Sequence, residues 1–532
     1  MALSDLSGWG IFALRDMPPR GNQLPLPGDV VIQVPDVGYT LGMWHLFISQ
    51  YWWTSTETGG MYEGQQVSSI VPGIGMLANG ATEHSNVLPF RPTMDTAGCS
   101  RRNCPGAGAF SHYTNYTWFV HRPIQAGDEV LVNFGTEWFQ QKKLESVQPP
   151  GKTVQWLRQN GICLDNLYPK LSTQPHAGHG AFAKRSFRKG ALVAPLPVLP
   201  IFESDKSLLM QKIKTVDNDN SNSNNNGNDK KDVLERTWQL LRNYCFGHSS
   251  SSMLLFPYAP IVNYVNHNTT TTANVRLAWS QHPSTSLFRG KHWMDKSPAD
   301  IQNSTDKKTA GSGLLLELVA LRDIRAGEEI LLDYGPDFQQ AWDRHVETWT
   351  GIDNDMDTPA HIMDDIVSKL RTEQEQQDYP YPDNLLTSCF YEYSLSSGST
   401  TTSNTNTPKP SKKKEVTTVK WNMTRNVFDW KNLRPCLIVQ RTHNDRFYTV
   451  LIKNRPGLTP SQRIPRGVLH MVSHVPRQAI RFSNKLYTTD QHLPTAFRHS
   501  IGIPDNIFPD CWKDLEDQKG NKDSRTECST EA

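Results

Sequence analysis

The sequence lacks the features that mark several large classes of protein. No run approaches the roughly 20 apolar residues of a membrane span. The first residues contain no charged start followed by an apolar block, so no signal peptide is visible. The 55 Lys and Arg residues are balanced by 53 Asp and Glu residues, which leaves no broad basic surface for a nucleic acid. We therefore expect no membrane insertion and no direct binding of DNA or RNA.

The cysteines also form no metal-binding motif. The eight cysteines include no Cys-x-x-Cys pair, and the one close pair, Cys99 and Cys104, has no second pair of ligands nearby. A structural zinc site needs four such ligands, so we predict no metal site and expect reduced thiols. This favours the cytoplasm or the nucleus. The first motif begins at Gly8, which is compatible with a targeting segment upstream of Met1.

What the sequence does contain is a repeat. Residues 322–335, RDIRAGEEILLDYG, match residues 122–135, RPIQAGDEVLVNFG, without a gap. Three further blocks recur in the same order: GHGAFAKR at 178–185 with GWGIFALR at 8–15, GALVAPLP at 190–197 with GDVVIQVP at 28–35, and NHNTTTTANV at 266–275 with NGATEHSNV at 79–87. Ordered blocks of this kind indicate two tandem copies of one unit.

The blocks consist of short apolar runs bounded by Gly and Pro, which predict strands and a mainly β chain with α insertions. The segment 231–244 has helical spacing, 283–311 is polar enough for an exposed loop, and Thr358 begins a further helix.

We expect these units: 1–142, first copy; 143–169, linker; 170–345, second copy with a disordered insertion at 216–230; 346–394, helical C-terminal cover; 395–419, low-complexity linker; and 420–532, a β-rich module with strands CLIVQRT and RFYTVLIKN.

Three motifs of the second copy together resemble the SET domain of protein lysine methyltransferases. They are GHGAFAKRSFRKGALV, NYVNHNTTTTANV and ALRDIRAGEEILLDYG, and they cover most of 177–343. The first copy resembles the same family more faintly over 7–139. The resemblance implies two tandem SET-like β-folds, the first degenerate, followed by the C-terminal β-rich module. It also implies S-adenosyl-L-methionine as cofactor and a protein that presents a lysine as substrate.

The chemistry explains why such a site needs a phenol. Methyl transfer from a sulfonium to an amine is a displacement that requires nucleophile, methyl carbon and sulfur in line. A narrow apolar channel removes water and lowers the pKa of the lysine. A phenol at its floor can contact the methyl group through weak C–H···O interactions and orient the amine.

By the resemblance, Tyr334 is that phenol and Tyr264 lines the lysine channel. The residues implied in cofactor binding are Gly178, His179, Gly180, Asn266 and His267, with Phe338 or Trp342 against the adenine. The two glycines lack a Cβ, which would let the backbone approach the cofactor.

The sequence departs from the family pattern in both copies. Asn263 and Asn268 stand where the family often has Arg and Ser, and no Cys-rich segment follows Gly335, so the 358–370 helix is the candidate cover. In the first copy Phe134 replaces the phenol and Gly80 replaces the histidine. We therefore expect a protein-lysine N-methyltransferase that acts through the second copy. The alternative is a non-catalytic SET-like scaffold or protein-interaction module.

Overall fold

The computed structural model describes residues 1–19, 26, 28–34, 51–54, 61–62, 65–90, 93–94, 99, 102–111, 113–142, 147–202, 210–216, 232–282, 293–303, 314–351, 358, 360–393, 415–423, 428–429, 432–442, 445–455 and 458–513. Within these residues strands dominate over helices, which confirms the prediction of a mainly β chain. The insertion predicted at 216–230 lies outside the described residues except for residue 216, and the linker predicted at 395–419 lies outside them up to residue 414.

An eight-stranded mixed sheet forms the centre of the second copy. Its strands, in spatial order, are Asn266–His267, Leu331–Leu332, Val275–Trp279, Leu315–Ala320, Leu192–Ile201, Leu254–Pro257, Phe246–Gly247 and Ile501–Gly502. The first two run parallel to each other, as do the last two, whereas the long central strands are antiparallel. The last strand comes from near the end of the chain, so a C-terminal segment completes this sheet.

The strand Leu192–Ile201 carries three prolines, although proline is normally confined to sheet edges. Its first half pairs with Leu315–Ala320 and its second half with Leu254–Pro257. Each half therefore has a hydrogen-bonded partner on one side only. That is the condition under which a residue without a backbone N–H is tolerated in a sheet.

A second eight-stranded sheet lies mainly in the C-terminal part of the chain. Its order is Glu415–Lys420, Val468–Pro476, Phe447–Ile452, Leu433–Arg441, Leu385–Phe390, Ile480–Asn484, Met61–Tyr62 and Gln65–Gln66. The strands predicted from CLIVQRT and RFYTVLIKN are confirmed. The sheet also takes strands from 61–66, from the span predicted as helical cover, and from the end of the predicted linker.

The remaining strands form small sheets. Three strands, Ile32–Val34, Ser68–Ile70 and Trp52–Thr54, form one sheet in the first copy. The two-stranded pairs are Ala2–Leu3 with Trp9–Gly10, Thr93–Met94 with Tyr113–Thr114, Val87–Pro89 with Trp118–Val120, Asn79–Gly80 with Leu131–Val132, Leu167–Leu171 with His179–Ala183, and Met210–Val216 with Asp232–Trp238.

Among the helices that the structure describes, one has 13 residues, Pro336–Thr348, here called the site helix, and the others are shorter. The others are Ile74–Leu77, Thr136–Lys142, Val154–Asn160, Pro298–Asn303, Ala360–Ile366 and Glu375–Asp378. The helix predicted after Thr358 is confirmed, and it packs against the strand Ile480–Asn484 in the C-terminal sheet.

Two local predictions were wrong. The segment 231–244, predicted as a helix, forms the strand Asp232–Trp238 and a 3-10 turn at Leu240–Tyr244. The strand pairs along its whole length with Met210–Val216. This pairing overrides the short helical pattern of its apolar residues. The predicted exposed loop at 283–311 contains the helix Pro298–Asn303, with Ile301 fully buried.

One hydrophobic core crosses the boundary between the two copies. Val30 and Ile32 of the first copy belong to the same buried cluster as Leu196 and Phe256 of the second. A separate cluster holds the C-terminal sheet together with the helix Ala360–Ile366. The first copy is therefore packed as part of the second copy's core, which places its loops next to the second copy's candidate site.

Candidate active site

The second copy contains a cavity of about 680 Å³. Seven of the residues singled out from the sequence line it: His179, Tyr264, Asn266, His267, Tyr334, Phe338 and Trp342. Gly178 and Gly180 do not belong to its described lining. Most of the side chains expected to contact a cofactor therefore converge on one space, although they come from segments about 160 residues apart.

The position of Tyr334 follows from its local sequence. The short strand Leu331–Leu332 ends at Asp333, whose Oδ1 accepts a hydrogen bond from the Gly335 backbone N–H at 2.9 Å. Gly335 has a φ of 91°, which favours glycine, and Pro336 then begins the site helix. This sharp turn leaves the Tyr334 side chain between the sheet and the helix.

The Tyr334 phenol is protonated and its direction is fixed. Its O–H donates to the Val265 carbonyl oxygen. Burial raises the pKa of Tyr334 well above its ordinary value, and the nearby Tyr244 phenol adds to that shift. A phenol held in this state can donate a hydrogen bond or contact a methyl group, but it does not serve as a base at neutral pH.

His267 is held on both ring nitrogens. Its Nδ1 accepts the Tyr334 backbone N–H at 3.0 Å, so Nε2 carries the proton and donates to Gln339 Oε1 at 2.6 Å. His267 therefore links the central motif to the closing strand and to the site helix. The imidazole acts as a brace for the cavity wall, in addition to any contact with a ligand.

Asn266 takes part in a polar network behind the cavity. Its amide donates to the His179 carbonyl oxygen at 2.9 Å, to Ser172 Oγ at 3.0 Å and to Glu329 Oε1 at 3.3 Å. The Glu329 carboxylate is buried and also accepts the Ser172 hydroxyl at 2.6 Å and the Thr173 backbone N–H at 2.7 Å. Most of the hydrogen-bonding capacity of the Asn266 amide is thus used to fix the cavity wall.

The two glycines of the first motif face protein groups. A Cβ on Gly180 would lie 2.1 Å from Glu329 Oε1, and a Cβ on Gly178 would lie 2.9 Å from the Phe110 ring. Gly178 also has a φ of 66°. Both positions therefore require glycine for packing inside this chain, whatever their distance from a cofactor.

Aromatic rings form one wall of the cavity. Phe338 lies 4.7 Å from Tyr334, 5.1 Å from His267 and 5.4 Å from Phe497 between ring centroids. Trp342 lies 5.1 Å from Phe497. Such a wall suits a planar aromatic group such as adenine.

Several lining residues were missed from the sequence. Phe497 and Ile501 come from the C-terminal segment, and Phe110 and Ser111 come from the first copy. No motif marks them, because they belong to other units and reach the cavity only through tertiary packing. Glu329, which lies behind the cavity wall, could have been predicted as a site residue because the repeat aligns it with Glu129.

A second concave site meets the cavity at Tyr334. This groove of about 850 Å³ is lined by residues of 247–254 and 499–505, whose strands pair with each other, and it shares Leu332 and Tyr334 with the cavity. Asp333 and Asp337 also line it. Tyr334 therefore lies where the cavity and the groove adjoin.

Contacts around the second copy's site recur in the first copy. Asn79 donates to Glu129 Oε1 at 2.7 Å, as Asn266 does to Glu329. The pair Asn79–Gly80 with Leu131–Val132 is parallel, as is Asn266–His267 with Leu331–Leu332.

The two copies differ at the position of the histidine. A Cβ on Gly80 would lie 2.1 Å from the Phe134 ring, which packs 4.9 Å from Trp138 between ring centroids. Phe134 thus fills the space in which the second copy has His267.

The expectation of reduced thiols was wrong for one pair, because Cys99 and Cys104 form a disulfide with Cα atoms 5.1 Å apart. Cys163, Cys245, Cys389, Cys436 and Cys511 are not disulfide-bonded. No group of three or more His, Cys, Asp or Glu side chains suited to a metal ion occurs in the ranges that the structure describes. None of the described helices is long and apolar enough to cross a membrane.

Comparison with known proteins gives the class of this site. Residues 178–335 match the family model of the SET domain. This span contains the three motifs, the Asn266–Glu329 contact and Tyr334, and residues 178–335 are a single SET domain. The match covers less than a third of the 532 residues and extends to neither the first copy nor the C-terminal module.

No curated protein matches the chain. One solved structure, described as a putative histone methyltransferase of Plasmodium falciparum, is 14% identical, with 32% of this chain and 93% of that chain covered and a TM-score of 0.18. That TM-score is too low to establish a shared fold.

Proposed function

We propose that this protein is an S-adenosyl-L-methionine-dependent protein-lysine N-methyltransferase that acts through the SET domain at 178–335. The observation that carries the proposal is the position of Tyr334, which lines both the 680 Å³ cavity and the 850 Å³ groove. Cofactor in the cavity and a lysine side chain from the groove would meet at the phenol. In-line transfer requires such an arrangement.

The cofactor would be held by residues of this chain with suitable chemistry. Phe338 and Trp342 offer aromatic faces to adenine, and the backbones of His179 and His267 border the same space. The bound cofactor supplies the activated methyl group. Tyr264, which is buried and lies 6.1 Å from His179 between ring centroids, would line the lysine channel.

The protein's own contribution is alignment and exclusion of water. Buried aromatic rings at the end of the channel disfavour a charged ammonium, so the substrate lysine loses its proton more readily. The protonated Tyr334 oxygen would contact the transferring methyl group and orient the neutral amine. The substrate is then a protein whose lysine extends from a segment lying in the groove.

We also propose that 1–142 is a duplicated, inactive SET-like unit. The supporting observations are the matching Asn79–Glu129 contact and the parallel strand pair, together with the Phe134 ring in place of a histidine. Phe134 has no hydroxyl to contact a methyl group. The first copy should therefore contribute no methyl transfer that compensates for a Tyr334→Phe change in the full chain.

The test is methyl transfer from labelled S-adenosylmethionine to lysate proteins, read by mass spectrometry. Wild type should modify lysines, and Tyr334→Phe should be slower by roughly a hundredfold or more because the loss falls on the transition state. A matched control is Tyr381→Phe, which removes a phenol that packs in the core of the C-terminal sheet and accepts the Arg371 backbone N–H.

The outcomes separate the two candidate functions. An unchanged rate in Tyr334→Phe would remove the phenol from the mechanism. Absence of S-adenosylhomocysteine binding by the wild-type chain, measured by calorimetry, would favour the scaffold. Weakened binding in His267→Ala would support the cavity as the cofactor site.

A further inference from the structure

One loop of the first copy forms a wall of the cavity in the SET domain. The loop, Cys104–Ser111, has the sequence CPGAGAFS, and its residues Ala109, Phe110 and Ser111 line the cavity. We name it the wall loop.

The wall loop is hydrogen-bonded to the SET domain along its length. The Pro105 carbonyl oxygen lies 2.8 Å from His345 Nε2 on the site helix. The Ala109 carbonyl accepts the Asn243 amide at 2.6 Å, and the Ser111 backbone N–H donates to the Tyr244 hydroxyl at 2.8 Å.

Two glycines allow the wall loop to lie this close to its neighbours. A Cβ on Gly106 would fall 2.2 Å from the His176 carbonyl oxygen, and one on Gly108 would fall 2.2 Å from the Asp490 carbonyl oxygen. The first contact is with the segment that directly precedes the SET domain, and the second is with the C-terminal segment. The wall loop is thus seated between these two units.

Arg498 joins the three units at one point. Its guanidinium donates to the Gly108 carbonyl oxygen at 2.6 Å, to the Trp238 carbonyl at 3.1 Å and to the Gln491 carbonyl at 2.6 Å. These acceptors lie in the wall loop, in the SET domain and in the C-terminal segment respectively. Burial lowers the pKa of Arg498 to about 9, so the side chain is still charged at neutral pH.

The residues on either side of Arg498 face the two binding spaces. Phe497 lines the cavity and packs on the rings of Phe338 and Trp342, whereas His499 lines the groove. Three residues further on, the Gly502 backbone N–H donates to the Tyr334 carbonyl oxygen at 2.8 Å. A change at Arg498 would therefore alter the aromatic wall and the phenol's backbone together.

We propose that Arg498 is a positioning residue that holds the wall loop and the C-terminal segment around the cavity, so that cofactor affinity depends on all three units. The proposal rests on the proposed function for its ligand, S-adenosylhomocysteine. It predicts that the SET domain's cavity loses two of its walls when this single side chain is shortened.

The experiment compares two arginines, Arg498 and Arg434, in the full chain. Arg498→Gln removes the guanidinium N–H groups that donate to the wall loop, the SET domain and the C-terminal segment. Arg434→Gln is the matched control, because Arg434 also donates to backbone carbonyls, those of Tyr391 and Gln462, but lies in the C-terminal module away from the cavity. S-adenosylhomocysteine affinity is measured by calorimetry, and local opening by hydrogen–deuterium exchange.

We expect Arg498→Gln to weaken binding roughly tenfold or more, since several charge-assisted hydrogen bonds are lost at once. Exchange should accelerate in 104–111 and 497–503. Arg434→Gln should leave both quantities unchanged, and Arg498→Lys should restore part of the affinity. Equal binding by Arg498→Gln and wild type, or an equal loss in Arg434→Gln, would overturn the proposal.

A second pair of variants covers the case in which Arg498→Gln does not fold. Gly108→Ala should weaken binding, because its Cβ would press on the C-terminal segment. Gly467→Ala is its control, with a similar φ of 88° and no heavy atom within 4 Å of the new Cβ. Should wild type not bind the ligand, the proposed function fails, and the exchange data decide the role of Arg498 independently.

Discussion

Replacing Gly180 by alanine tests whether the network behind the cavity positions the site. Gly180 lies in the strand His179–Ala183 and its φ is outside the left-handed region, so alanine is conformationally acceptable there. The new Cβ, however, would lie 2.1 Å from Glu329 Oε1. Ordinary contact distances would require the carboxylate to move by more than about 1 Å.

The expected cost follows from the bonds that such a movement breaks. The Glu329 carboxylate accepts the Ser172 hydroxyl at 2.6 Å and the Thr173 backbone N–H at 2.7 Å, and both bonds would be stretched beyond hydrogen-bonding range. Bonds to a charged group contribute about 1.5–3 kcal/mol each, and partial relaxation recovers some of this. We expect the free energy of unfolding to fall by about 2–4 kcal/mol. Because Asn266 shares this carboxylate, affinity for S-adenosylhomocysteine should also fall.

The first copy supplies a matched control. A Cβ on Gly10 would lie 2.2 Å from Glu129 Oε1, and Glu129 accepts from Ser4 and Asn79 in the same way. Gly10→Ala should therefore cost a similar free energy of unfolding in urea denaturation while cofactor affinity, measured by calorimetry, stays unchanged. The reasoning is refuted if Gly180→Ala binds like wild type, or if Gly10→Ala weakens binding equally.

Further predictions concern single side chains. Gln339→Ala removes the acceptor of the His267 Nε2 proton, so it should weaken S-adenosylhomocysteine binding in calorimetry. Phe134→Tyr should leave the total rate of methyl transfer unchanged, since Gly80 still lacks the imidazole of the second copy. Burial raises the pKa of Asp29 to about 7. Between pH ~4 and 7 the folded chain therefore keeps a proton on Asp29 that the unfolded chain has already lost. The melting temperature of wild type relative to Asp29→Asn should therefore fall as pH rises through that window, and a constant difference would contradict the assignment.

Much of the candidate site could be predicted because it lies in contiguous motifs. The segment Asn266–His267 and the turn after Leu332 have local signals, and their pairing in a parallel strand brings His267 to Tyr334. The family pattern adds the order of the motifs along the chain. Local sequence and motif order were therefore sufficient to find one side of the cavity.

The other side could not be predicted, because its residues have no signal of their own. Phe110 and Phe497 become wall residues only through packing between units that are separated by hundreds of positions. The strand Asp232–Trp238 shows the same limit within one unit, since its partner at Met210–Val216 decides its structure. In that strand, tertiary pairing overrides a weak local pattern.

Comparison of the two copies distinguishes residues that support the fold from residues that could take part in the chemistry. The network of asparagine, buried glutamate and glycine is present in both copies, and in the first it accompanies Phe134, which has no hydroxyl. That network therefore serves the fold wherever it occurs, and its presence cannot by itself indicate a transferase. What differs is the pair formed by His267 and Tyr334, the residues that border both binding spaces or brace their junction. Under the proposed function, methyl transfer depends on this pair and on the walls that the neighbouring units bring to it.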